Sequence, residues 1–175
     1  MNLHSSLYCQ RTIEKIKYAI EVVFALYNEN KNSNRITDIG INFDSICDYS
    51  IIGLHAYITE QVAQYIRVAL RKKYGCTDEK ANNIADKIMH HGNPKNIMDL
   101  FDFLQPTESK VIKVSNNFEE YYKLYKSRNA YVHENKDNNK LDITYIFNNQ
   151  IKYYDFLTQL DNMIGLKDEI PEFIP

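Results

Sequence analysis

Residues 51–74 read IIGLHAYITEQVAQYIRVALRKKY, and this stretch decides the fold class. Ile51, Ile58, Val62, Tyr65, Ile66, Ala69 and Leu70 recur at intervals that place them on one face of a helix. Nothing in it alternates as a strand would. The spacing predicts one long helix from Asp44 or Ser45 to Tyr74, stopped by Gly75, with Arg71-Lys72-Lys73 as a solvated face at the negative end of its dipole. Gly53 is a candidate kink or close helix crossing, and His55 borders the apolar face as a packed, hydrogen-bonded side chain.

The same periodicity extends in both directions. Ile13, Ile16, Ile20, Val23, Phe24 and Tyr27 predict a first helix from a Ser5 or Ser6 cap to about Asn30, ended by the polar cluster 28–34. Residues 35–43 read as a short extended connection. Thr77 caps a third helix running to His90-His91, which Gly92 closes. Adjacent His side chains point about 100° apart on a helix, so that pair reads as cations at a helix end, not as a metal site. Pro94 opens a short apolar helix with Ile97, Met98, Leu100, Phe101 and Leu104, which Pro106 ends.

Ser115 to Asn117 offer caps, with Asn117 and Glu120 at capping-box spacing, for a helix through Tyr121, Tyr122 and Leu124. After a polar loop at 134–140, Asp142 caps a last helix ending at Gly165, followed by an acidic tail at 166–175. The expected architecture is all-α: a single domain over 1–175, an up-and-down bundle of about four long helices with short helices inserted.

Composition narrows the function. Hydrophobic residues at 44% and charged ones at 25% suit a globular core, and five Gly with four Pro leave room for long helices. A net charge of −2 gives no global basic field, so nucleic-acid binding requires a local patch. Cys9, Cys47 and Cys76 are odd in number and far apart, which argues against a disulfide framework or a structural zinc. No signal pattern and no membrane-length apolar run occurs, so a cytoplasmic protein without membrane contact is expected.

Chemistry concentrates in Ser127-Arg128-Asn129-Ala130-Tyr131-Val132-His133-Glu134. Arg suits the charge developing on a phosphate, Asn can orient a phosphate or an imidazole, and His moves protons near neutral pH. Asn129 and His133 are four apart and share a helix face. Arg128 and His133 lie about 140° apart on an ideal helix, so one cleft requires a bend, a frayed end or a second protomer. Tyr125, Tyr131 and Val132 take the core-facing positions. From Tyr121 to Lys140 the net charge is +3, with Lys123, Lys126, Arg128, Lys136 and Lys140 as cations. Tyrosines there could stack on unpaired bases or fill the core. An ion pair between Arg128 and a surface acid is the alternative reading of the arginine.

Arg128, the polar Asn129 directly after it and His133 five positions on resemble the RNase motif of the HEPN superfamily, over about residues 120–135. The resemblance implies a compact helical bundle that dimerises about a two-fold axis and joins two motifs in one cleft. It implies a metal-independent endoribonuclease of a bacterial defence or toxin–antitoxin system, with no cofactor. Arg128 and His133 would be catalytic and Asn129 supporting, with Lys126 and Tyr131 as further candidates. Glu60 is a candidate acidic neighbour, with a solvated acid as its alternative. The partners implied are single-stranded or looped RNA, a second copy and a cognate antitoxin or regulatory protein. Segment 76–106 would be a subfamily insertion. The alternative function is a non-catalytic HEPN-like module binding nucleotide, RNA or protein.

Overall fold

The computed structural model describes residues 5–31, 43–89, 93–132 and 140–166, and among them all seven regular elements are helices. These are α1 (Leu7–Lys31), α2 (Phe43–Lys72), α3 (Asp78–Met89), α4 (Pro94–Leu104), α5 (Pro106–Lys113), α6 (Asn116–Val132) and α7 (Ile143–Ile164). The connection expected at 35–43, the His90-His91 pair with Gly92, His133 with most of the polar loop, and the acidic tail from 167 onward lie outside the described residues.

Each helix is bounded by local chemistry. Ser6 caps α1, its Oγ accepting from the Cys9 N–H at 3.2 Å. α2 ends in a Schellman turn: Gly75 takes φ 65°, its N–H reaches the Arg71 carbonyl, and the Cys76 N–H reaches that of Leu70. Thr77 Oγ1 accepts from the Lys80 N–H, and Asp78 and Glu79 sit at the positive end of α3. Asn93 caps α4 through the Lys95 N–H, and Asp142 caps α7 through the Tyr145 N–H at 2.7 Å. Gly165 closes α7 in the left-handed region, at φ 64°.

Several expectations need correction. The sequence reads Pro106 only as the end of the short apolar helix, yet α5 occupies Pro106–Lys113. The backbone breaks at Gln105, and Pro106 then sits at a first helical position, where its missing N–H costs nothing. One proline therefore both ends α4 and begins α5. The capping box of Asn117 and Glu120 does not form. Ser115 Oγ caps the Phe118 N–H instead, while Glu120 is buried and takes Lys123 and Tyr145 at 2.9 Å and Lys152 at 3.5 Å. Arg71 is not merely solvated: it pairs with Asp78 at 3.0 Å and helps hold α3 to α2.

Gly53 does not mark a close helix crossing. A Cβ built there finds no atom within 4 Å. Gly53→Ala is therefore expected to stabilise the fold by about 0.5–1 kcal/mol, because it adds helix propensity without a clash. A shift of the urea midpoint to higher concentration checks it, and a destabilised variant would contradict it.

The core runs through all seven helices. α2 packs against α1, α3, α6 and α7, and α7 packs against α1, α5 and α6 as well. Ile16, Ile20, Ile58, Val62, Ile66, Leu124, Ile146, Phe156 and Leu160 are buried almost completely, each aliphatic one worth roughly 1.5–3 kcal/mol of transfer free energy. Phe24 of α1 stacks on Phe147 of α7 at 3.9 Å, and Tyr121 of α6 on Phe156 of α7 at 4.8 Å.

One polar knot sits inside this apolar mass. The buried Asp161 carboxylate accepts from the Ser6 N–H, the Ser6 hydroxyl and the Tyr65 hydroxyl, each at 2.6 Å. Burial, and then the Asp161 charge, push the Cys9 thiol up to about 12, so Cys9 stays protonated and unreactive.

Candidate functional site

α6 carries two sets of side chains with different duties. Ser127 and Tyr131, four apart, both hold Leu141 at the start of the last helix. Ser127 Oγ accepts from the Leu141 N–H at 2.9 Å, and the Tyr131 hydroxyl donates to the Leu141 carbonyl at 3.0 Å. These two bonds tie α6 to the segment that leads into α7. Tyr131 is therefore placed as an anchor, with Lys140 Nζ over its ring at 4.8 Å. Val132, expected in the core, is exposed, because Ser127, Ala130 and Tyr131 fill the inward side of that last turn.

The second set looks elsewhere. Arg128 and Asn129 are half-buried, and Arg128 Nη1 donates to Asn129 Oδ1 at 2.9 Å. Among the described residues no carboxylate pairs with Arg128. The surface ion pair that would explain it structurally is thus not what these residues provide. The carboxamide fixes one edge of the guanidinium and leaves donors for an anion. His133 lies outside the described residues, so the expected Asn129–His133 face and the Arg128–His133 convergence are not on view.

A different histidine lies within electrostatic range of Arg128. His55 of α2 is buried, its Nδ1 3.4 Å from Thr59 Oγ1 and its ring 6.1 Å from that of Tyr125. Burial first, and the Arg128 charge second, push its imidazole down to about 4. It is neutral at pH 7 and serves as packing that feels the arginine. The sequence marked His55 as packed, but no local signal tied it to Arg128, which is 73 positions away.

That depressed value has a consequence for stability. Unfolded, the imidazole takes a proton below pH ~6.5; folded, it does so only near 4. The stabilisation is complete above pH 6.5 and is lost as pH falls from there to 4, on the order of 3 kcal/mol in all. Urea melts between pH 7 and 4 should show this decline, and His55→Gln should flatten it. An equally steep decline in the variant would assign the acid sensitivity to other groups.

Lys126 is exposed, with its Nζ 4.6 Å over the Tyr122 ring. Glu60 is exposed and bound to Arg67 at 3.0 Å and to Gln64 at 2.7 Å, while Arg67 also holds Asp86 at 2.7 Å. Glu60 thus belongs to the α2–α3 contact. Among the described residues no three His, Cys, Asp or Glu side chains gather as metal ligands, and no helix is long and apolar enough to cross a membrane.

No family model, no curated protein and no solved structure matches the chain.

Proposed function

We propose that the chain is a metal-independent endoribonuclease of the HEPN type, built as an up-and-down helical bundle and acting as a two-fold homodimer. The observation that carries this reading is Arg128: half-buried, steadied by Asn129, and unclaimed by any described carboxylate. An arginine kept for stability is commonly paired; one kept for a phosphate is held in place and left open.

In this reading Arg128 stabilises the charge that gathers on the phosphoryl oxygens during transfer. Asn129 keeps the guanidinium fork oriented. His133 moves protons: the ribose 2′-oxygen loses its proton and bonds to phosphorus, the P–O5′ bond breaks, and O5′ gains a proton. The motif of a second protomer would supply the second imidazole that this exchange calls for. The products are a 2′,3′-cyclic phosphate and a 5′-hydroxyl. A cytoplasmic role in defence or as the toxin of a toxin–antitoxin pair suits such an activity, with an antitoxin or regulatory protein as partner.

The test is incubation of RNA with wild type, Arg128→Ala and His133→Ala in EDTA. Wild type should cleave and both variants should not. Activity that EDTA removes, or that survives both substitutions, would sink the reading. RNA binding without turnover in the wild type would instead favour a non-catalytic HEPN-like module.

A further inference from the structure

α6 carries a row of rings on the face that ends at Asn129, the partner of Arg128. Phe118 and Tyr122 lie parallel within 4°, with centroids 6.3 Å apart. Tyr122 and Tyr125 follow at 5.9 Å and 19°, and Tyr125 leans on His55. Tyr122, Tyr125, Lys126 and Asn129 fall at the spacing of one helix face. From Tyr122 to Asn129, which holds Arg128, the axis advances about 10.5 Å on that face.

The middle ring is not a core ring. Tyr121 is 3% exposed and stacks into the interior, whereas Tyr122 is half-exposed. Two ammonium groups from different helices converge on it: Lys126 Nζ at 4.6 Å and Lys95 Nζ at 5.1 Å from its centroid. Both lysines are exposed, and among the described residues neither pairs with a carboxylate. Lys95 is placed badly for its own helix. It sits in the first turn of α4, at the positive end of the dipole, where an acid would be favoured and none occurs. Each ammonium is drawn to the ring face, and together, with no described carboxylate on either, they make a cationic edge beside a half-exposed ring.

We propose that Tyr122, Lys95 and Lys126 form a subsite for a nucleotide of single-stranded RNA. Its unpaired base stacks on Tyr122, and the two ammonium groups take the adjoining phosphates. The subsite rests on the RNA reading of the Arg128 site and extends it, because it holds a nucleotide beside the one whose phosphate Arg128 meets. A ring platform flanked by cations suits any base, since every base has a π face, so it fixes strandedness more than sequence.

The experiment is fluorescence anisotropy of the full chain with a labelled, 2′-O-methylated eight-nucleotide single strand, which offers no 2′-hydroxyl for cleavage. Tyr122→Leu should weaken binding about 5- to 100-fold, while Tyr122→Phe stays within about twofold of wild type. Lys95→Gln, a change at an exposed position, should weaken binding and lower the salt slope by about 0.7. Unchanged binding in Tyr122→Leu and Lys95→Gln, equal loss in Tyr122→Phe and Tyr122→Leu, or equal affinity for duplex RNA would each overturn the subsite. If Tyr122→Leu fails to fold, Lys95→Gln and the duplex comparison decide. The two readings fail separately. Cleavage that persists in Arg128→Ala while Tyr122→Leu loses binding removes the catalytic assignment and keeps the subsite; the reverse pattern removes the subsite alone.

Discussion

Arg128→Ala is expected to lower RNA cleavage by about 10²–10³-fold while the fold stays within about 0.5 kcal/mol of wild type. The two halves of this result come from one feature. The guanidinium bonds to its neighbour Asn129 and to no described carboxylate, so removing it orphans no buried charge. Asn129 is half-exposed and can turn to water. Arg128→Lys tests the fork: a point charge without bidentate geometry should restore only a small part of the activity. Initial rates in EDTA, read beside thermal melts of the same preparations, check both halves. A variant that loses activity and stability together would mean that Arg128 is a packing residue after all.

Asp161→Ala should be the most damaging single change to stability, costing roughly 3–5 kcal/mol. Three donors meet this carboxylate, and the alanine leaves all of them without it in a buried place. Against a total of about 5–15 kcal/mol, the loss is a large fraction of what holds the chain folded. In a chain of this size it corresponds to a fall in Tm of roughly 10 °C or more. Tyr65→Phe removes one donor and leaves two, so it should cost about 1 kcal/mol. Comparable melting of Asp161→Ala and wild type would show that water satisfies the donors.

The helical class was legible because it depends on spacing alone. Ile51, Ile58, Val62 and Ile66 state the period of α2 without any partner, and Gly75, Gly165, Thr77 and Asp142 carry their end signals in their own backbone or side-chain chemistry. α5 was hidden because a proline read as a stop is also a start. Glu120 was misread for a related reason: its three partners sit on two helices, and only its distance from Asn117 is visible in the chain. The candidate site divides in the same way. Arg128 and Asn129 are neighbours and could be found together. Lys95 of α4 reaches Tyr122, and His55 of α2 feels the Arg128 charge, through a tertiary arrangement that no local pattern records. Tyr131 was marked for chemistry because it lies in the motif, while its hydroxyl is spent on Leu141.

The knot at Asp161 also sets an order of events in the cell. Ser6 and Asp161 are separated by 155 positions, and α1 lies against α7 as well as α2. A ribosome adding ~5–20 residues per second delivers α1 many seconds before its second neighbour exists. During that interval the isoleucines of α1 can rest only on α2, and the Ser6 hydroxyl has no carboxylate to meet. The contact that locks the first helix thus waits for α7. A growing chain therefore leaves this bundle incomplete until α7 has emerged.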